Sequence, residues 1–315
     1  MQISAYLHGI YPRSEQLVKA TRDYQRGRAS AEQREEAFAA DLAELVSLQQ
    51  AAGLSYFTDG LLRWLDLFRP LVDACPALRA GGLSRWFDTN SFYRVPQVMA
   101  ELAPARPARV LDQSVPEPKV ASLPGPLLLA RSCLGAADPA HLVEGLAGTV
   151  LKPFVRQARA EGAALFHLEE PWPVTHPMAA EDWGALGDAL AGLRDSLGGA
   201  PVVLHTSFGD AGPVMAELRR LPVDALGVDL VQTSIDDLGG DWDIPLVAGC
   251  LDGRSSLVES ADMTAKAARL AVERTGAPAI FLTSATSLDL LPQVVAARKV
   301  RALGEAAAVL REQLA

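Results

Sequence analysis

Pro201-Val202-Val203-Leu204-His205-Thr206-Ser207-Phe208-Gly209-Asp210 is the stretch that decides the fold. A short apolar run of buried-strand character ends in a histidine and two hydroxyls, and a glycine turn then leads toward a helix. A parallel strand hands over to an active-site loop in this way in an α/β protein. The event recurs at Phe166-His167-Leu168-Glu169-Glu170-Pro171, Gly227-Val228-Asp229, Leu246-Val247-Ala248-Gly249-Cys250-Leu251-Asp252 and Ile280-Phe281-Leu282-Thr283-Ser284. Polar groups gathered at the ends of successive apolar strands line one shared pocket, so the chain is expected to be an enzyme.

Working outward, the chain alternates strand and helix. Strands are expected near positions 5, 57, 129, 166, 203, 228, 248 and 281, which makes eight. Helices are expected over about 31–52, 61–78 and 290–314, with another opened by Asp138-Pro139 and one after each later strand. Eight strands interleaved with helices predict a (β/α)8 TIM barrel, one domain over residues 1–315 with an excursion at about 79–123 that carries strands at 91–95 and 119–123. An open doubly wound sheet is the runner-up, without a G-x-G-x-x-G or G-x-x-x-x-G-K-[ST] to support it.

Composition narrows the function. Of 315 residues, 49% are apolar, enough for a large core, yet no apolar run approaches the roughly 20 residues of a membrane helix. A net charge of −9 without Lys/Arg clusters argues against nucleic acid and for a small-molecule substrate. Cys75, Cys133 and Cys250 have no metal-like spacing and fit a reducing cytoplasm. The N-terminus carries no secretory pattern.

The motifs resemble a family. Tyr11-Pro12-Arg13-Ser14, Asp59-Gly60-Leu61-Leu62-Arg63-Trp64-Leu65-Asp66, Trp86-Phe87-Asp88-Thr89-Asn90, Pro124-Gly125-Pro126, Leu168-Glu169-Glu170-Pro171, His205-Thr206-Ser207 and Asp252-Gly253-Arg254-Ser255 follow one another in the order of cobalamin-independent methionine synthase. The chain is similar to its short single-barrel forms and to its C-terminal catalytic barrel. The resemblance implies a TIM barrel in which a zinc-bound homocysteine thiolate attacks the methyl group of a methyltetrahydrofolate. It also implies a zinc held by a His-x-Cys pair, a Glu and a final Cys. In this chain His205 and Asp229 stand in the histidine and carboxylate positions, while Ser207 and Thr286 stand where the thiolates belong. Zinc is therefore expected to be weak or absent, because a neutral hydroxyl is a poor ligand. Methionine synthesis is expected to be slow or absent. Ile10, Leu61 and Arg254 also depart from the family's Ser, acidic residue and catalytic His.

The candidate catalytic residues are His205, Glu169, Asp252 and Arg254, with Asp252 holding Arg254 through a bidentate contact. Neighbours in a strand point to opposite faces, so only one of Glu169 and Glu170 faces the mouth, and the family implies Glu169. Arg13, Asp59, Arg63, Asp66, Arg131 and Glu170 are the candidate substrate-binding residues. His8, Asp59, Arg131, Glu169, His205, Asp229, Asp252 and Ser284 are expected at one mouth. Trp64, Trp86, Phe87, Trp172 and Phe208 either pack the excursion or wall a flat ligand such as a folate methyl donor. Cys250 is expected to be an inert buried thiol. Alternatives are a repurposed enzyme doing acid–base chemistry on a small carboxylate, and a non-catalytic binding subunit. A protein partner for methyl transfer is among the expectations, and the chain is expected to be a monomer or a dimer.

Overall fold

The structure is a computed structural model that describes residues 1–135 and 139–314. Its elements in order are β1 (Gln2–Ala5), α1 (Glu15–Gln25), α2 (Ala31–Ala51), α3 (Arg69–Ala74), β2 (Leu78–Arg85), β3 (Phe92–Val98), β4 (Lys119–Pro124), α4 (Pro126–Arg131), α5 (Pro139–Leu146) and α6 (Lys152–Ala160). Then come β5 (Ala163–Glu169), α7 (Trp172–Thr175), α8 (Ala180–Leu197), β6 (Val202–Thr206), α9 (Met215–Leu218), β7 (Ala225–Asp229), β8 (Leu246–Leu251), α10 (Ala261–Thr275), β9 (Ala279–Ser284) and α11 (Gln293–Gln313).

Seven strands form one curled parallel sheet in the order β1-β9-β8-β7-β6-β5-β4. Its two edge strands approach the same short segment. The Ser55 N–H donates to the Ala5 carbonyl at 2.7 Å beside β1, and the Phe57 N–H donates to the Pro118 carbonyl at 2.9 Å beside β4. A strand is expected near position 57, but the segment makes only a single parallel bridge, Phe57 to Lys119.

Two cores lie on either side of the sheet, because successive side chains point to opposite faces. The large one packs sheet against helices. A smaller one inside the curl contains Tyr6, Val120, Leu165, Val203, Ala225, Val247, Ala279 and Phe281. Two residues further along the same strands, the inward positions are His8, Ser122, His167, His205, Gly227, Gly249 and Thr283. Polar residues thus follow directly on an apolar plug.

The outer helices form where Ala, Leu and Glu recur at helical spacing. α2 starts on a reciprocal cap between Ser30 and Gln33 and buries Phe38, Asp41, Leu42, Leu45 and Gln49, the spacing of one helical face. Among the described residues no helix is long and apolar enough to cross a membrane.

Several expected elements differ. Leu127–Ala130 is helix α4, and the strand expected there is β4, placed by sequence inside the excursion. Pro126 sits in the first turn of α4, where a missing N–H costs nothing, and Glu170 caps the N–H groups of Leu127 and Leu128. Of the helix expected over 61–78 only α3 forms; Leu61 lies at φ 47°, outside helical space. The excursion is an antiparallel hairpin of β2 and β3. β6 is followed by a 3-10 turn (Gly212–Val214) that runs into the short α9, and β7 by a single 3-10 turn (Ile235–Leu238), rather than by full helices. Asp138 lies outside the described residues.

Candidate active site

Three buried imidazoles meet above the inner plug. His8 follows β1, His167 lies in β5 and His205 in β6, and all three are at most 4% exposed. His8 and His167 stack at 4.0 Å between ring centroids with 16° between planes, and each lies 4.9 Å from the His205 ring. The His205 ring fits because β7 and β8 carry glycine beside it. A Cβ on Gly227 would come within 2.7 Å of His205 Cγ, and one on Gly249 within 3.1 Å of His205 Nε2.

Hydrogen bonding is uneven. His8 Nε2 pairs with the Ser284 carbonyl at 3.0 Å, and the Tyr6 hydroxyl with His167 Nδ1 at 2.9 Å. Among the described residues His167 Nε2 and both nitrogens of His205 make no hydrogen bond of ordinary geometry, although the Ala285 backbone lies close enough to His205 to oppose the fall in its pKa. Burial holds His167 and His205 well below the usual histidine pKa, and the neighbouring imidazoles push in the same direction. Both are neutral at physiological pH.

Glu169 closes the layer toward the mouth. Its Oε1 lies 3.5 Å from His8 Nδ1 and accepts from Ser287 Oγ at 3.5 Å. Above it a cavity of about 40 Å³ is lined by Ile10, Asp66, Trp86, Tyr93, Glu169 and Asp289, among others. Burial, then the nearby Glu169 charge, pushes Asp289 up to about 7. Asp289 and Arg13 also share a wider cleft of about 610 Å³. Desolvation lowers the Arg13 pKa, while Asp289 and then Asp41 raise it.

The parallel strands place His8, Glu169, His205, Asp229, Asp252 and Ser284 at their C-terminal ends. Glu169 faces inward, while Glu170 faces outward and caps α4. Asp229 accepts from the N–H groups of Phe208, Val231 and Gln232, so both oxygens are engaged with backbone. Asp252 accepts from the Arg254 N–H at 2.8 Å, but the Arg254 guanidinium pairs with Asp88 at 3.1 Å, not with Asp252. Asp59 accepts from the N–H groups of Leu61 and Asp112, and Asp66 from those of Phe68 and Arg69.

Two arginines point elsewhere. Arg63 pairs with Glu35 of α2 at 2.5 Å. Arg131 ends a helix rather than a strand and pairs with Asp182. Ser207 and Thr286 are buried hydroxyls. Cys250 is bonded to the Thr283 carbonyl and its thiol is pushed up to about 12 by burial. Phe87 of the hairpin stacks on Phe208 at 4.8 Å, which brings the excursion over the mouth.

Sequence reasoning passed over His167, Ser287 and Asp289 as site residues. The signal for His167 was parity: it stands two before Glu169 on one strand, so both face inward.

Comparison with known proteins follows the same fold. A family model described as "Cobalamin-independent synthase, N-terminal domain" matches residues 75–274. The motif order points to the C-terminal barrel of that family; the matching model is that of its N-terminal domain. The 5-methyltetrahydropteroyltriglutamate–homocysteine methyltransferase of Mycobacterium tuberculosis (strain ATCC 25618 / H37Rv) is 30% identical over 78% of this chain and 37% of its own length. The chain thus spans well under half of that relative. A methionine synthase of Sulfurisphaera tokodaii is 24% identical, with 97% of this chain and 92% of that protein covered. A B12-independent methionine synthase from Shewanella sp. W3-18-1, solved with selenomethionine, superposes with a TM-score of 0.76 at 15% identity, covering 99% of this chain and 98% of that one. The chain belongs to the cobalamin-independent methionine synthase family.

Proposed function

We propose that this chain is a methyltransferase that moves a methyl group from a folate-type donor to a small amino-acid acceptor bound at the strand ends. The observation that carries the reading is the inward Glu169 carboxylate at the floor of an aromatic-walled cavity, in a chain of this family. The relatives from Mycobacterium and Sulfurisphaera are named for this kind of reaction. We read the fold as a single (β/α)8 barrel in which residues 55–57 stand for a reduced eighth strand. The setting is the cytoplasm.

The residues suit such an acceptor. Glu169 and Asp289 offer two carboxylates to an ammonium group, and a bound cation would hold Asp289 charged despite its burial. Arg13 beside Asp289 suits the acceptor's own carboxylate. Trp86, Phe87 and Phe208 offer flat faces to a pterin.

The thiolate zinc site of the family does not fit this chain. Ser207 and Thr286 offer hydroxyls, and the Asp229 oxygens are occupied by backbone N–H groups. Homocysteine is mostly thiol at neutral pH, so its methylation is expected to be slow without sulfur coordination.

The test supplies methyltetrahydropteroylglutamate with homocysteine and a panel of other small thiol and amine amino acids. Turnover with at least one acceptor is expected, falling about a hundredfold in kcat/KM for Glu169→Gln. A Ser207→Cys/Thr286→Cys variant with zinc is expected to exceed the wild type on homocysteine. No methyl transfer to any acceptor would sink the reading.

A further inference from the structure

We propose that a cleft beside the mouth, lined by Arg63, Arg69, Arg106 and Arg109, binds a phosphomonoester, that is, a phosphorylated small molecule with an apolar body. This site goes beyond the methyl-transfer reading and does not rest on it. None of the strand-end residues lines it. Leu65 lines both this cleft and the cavity above Glu169, so the two lie on either side of the loop over 63–66.

Segments far apart in sequence build the cleft, and backbone hydrogen bonds hold them. Arg69 opens α3, and the Arg106 N–H donates at 2.9 Å to the carbonyl of Ala74, where that helix ends. The Ala105 N–H donates to the Thr149 carbonyl at 2.7 Å. The Val110 and Leu111 N–H groups donate to the Glu161 carboxylate at 2.9 and 2.7 Å. The backbone that carries Arg106 and Arg109 is thus fixed at both ends. The cleft has a volume of about 380 Å³, the size of a small-molecule site. Trp64 and Phe154, which also line it, pack edge to face at 6.3 Å between ring centroids. Leu65, 46% exposed, leaves apolar surface at its rim.

Charge and donor geometry select the ligand. Four arginines line the cleft with a single acidic residue, Asp73, in a chain whose net charge is −9. Their carboxylate partners leave most of the donors free. Arg69 gives only Nε to Asp73, Arg109 gives only Nη1 to Asp112 at 2.9 Å, and Arg63 pairs with Glu35 and Asp112. Among the described residues the Arg106 guanidinium has no hydrogen bond or ion pair. Both Nη groups of Arg69, Nε and Nη2 of Arg109 and all three nitrogens of Arg106 therefore remain as donors. A guanidinium presents its N–H groups in a planar fork that matches an oxyanion. A phosphomonoester is close to a dianion at neutral pH and has three acceptor oxygens, so it bridges several guanidinium groups at once. A carboxylate brings one charge, which Asp73, Asp112 and Glu35 already supply. Exposed ion pairs hold weakly, so a dianion can rearrange them.

The experiment titrates the full chain by calorimetry, at low ionic strength, with phenyl phosphate, inorganic phosphate, benzoate and triglutamate. Phenyl phosphate is expected to bind saturably at one per chain. It should bind more tightly than inorganic phosphate, which lacks the apolar body, and than benzoate, which lacks the second charge. Arg69→Ala and Arg106→Ala, checked for folding by circular dichroism, should each weaken it on the order of tenfold. Arg13→Ala, at the mouth, should leave it unchanged, and added salt should weaken it because the arginines are partly exposed. Methyl donor and acceptor are absent throughout, so failure of one proposal does not decide the other. No saturable binding of phenyl phosphate at millimolar concentration would overturn the site. So would binding that survives in an Arg69→Ala/Arg106→Ala double variant, or that is lost in Arg13→Ala and so belongs to the mouth. Tighter binding of triglutamate or benzoate than of phenyl phosphate would overturn the choice of phosphate.

Discussion

Glu169 and Glu170 are chemically alike and adjacent, yet strand geometry gives them separate tasks. Glu169 meets the histidines inside the curl, and Glu170 turns outward to accept from Leu127 and Leu128 N–H groups at 2.8 and 2.9 Å. A Cβ on Gly125 would come within 2.3 Å of Glu170 Oε2, so only glycine leaves this carboxyl its place. Burial pushes the Glu170 pKa up to about 8, against the backbone N–H groups that pull it down. The sign follows from linkage. A carboxyl with a raised folded pKa keeps a proton that the unfolded chain has lost, so its stabilising contribution is complete below the unfolded value, about 4.3, and is lost as pH rises through about 8. Glu170→Gln mimics the protonated form and still accepts at α4. The unfolding midpoint of the wild type relative to this variant is therefore expected to fall between pH 5 and pH 8. A constant difference across that range would contradict the assignment.

At the scale of elements, legibility depended on where hydrogen bonds go. The strands β5 to β9 were legible because each is a short apolar run ending in polar residues. Leu127–Ala130 is equally apolar, but its backbone is helical because Pro126 and Glu170, the latter more than 40 residues away, organise its first turn. No local pattern carries that. β4 was recognised as a strand but assigned to the excursion, since Lys119 and Ser122 interrupt its apolar character. Lys119 is only 5% exposed and donates to the carbonyls of Asp112 and Glu161. The β2–β3 hairpin is the part of the excursion that reaches the site. Phe87, at φ 47°, stacks on Phe208, at φ 67°, and Arg254 pairs with Asp88. Asp88 is 73% exposed, so the ion pair contributes little to global stability. Arg254→Ala is expected to change unfolding free energy by less than about 1 kcal/mol. Hydrogen exchange at residues 86–91 should nonetheless quicken. Unchanged exchange there would mean that the aromatic stack alone holds the hairpin down.

Across the whole molecule, the site depends on contacts that no single element owns. The positions of His205 and Glu169 were legible because strand ends in such a fold share one face. The histidine cluster was not, because it requires knowing that β1, β5 and β6 curl until their inward side chains touch. Motifs a few residues long also do not separate one domain of the family from another. The outermost layer matters in the same way. Lys299 of α11 is 0% exposed and donates to Glu259 at 2.7 Å and to the Leu257 carbonyl at 2.6 Å. Glu259 in turn accepts from the Asp252 N–H at 2.8 Å, so the last helix is tied to the loop that carries Asp252 and Arg254. Removing one member of a buried pair strands the other. Because the Glu259 side chain retains 22% exposure, the loss should fall below the roughly 3–5 kcal/mol of a fully buried pair. Lys299→Ala is expected to cost about 2–3 kcal/mol in denaturant unfolding. Lys299→Met, which keeps the apolar stem, should cost less. Hydrogen exchange should show the loosening at 252–259 as well as in α11. Protection unchanged at 252–259 while α11 loosens would mean that the loop stands without the helix, and that the tie through Glu259 does not reach the mouth.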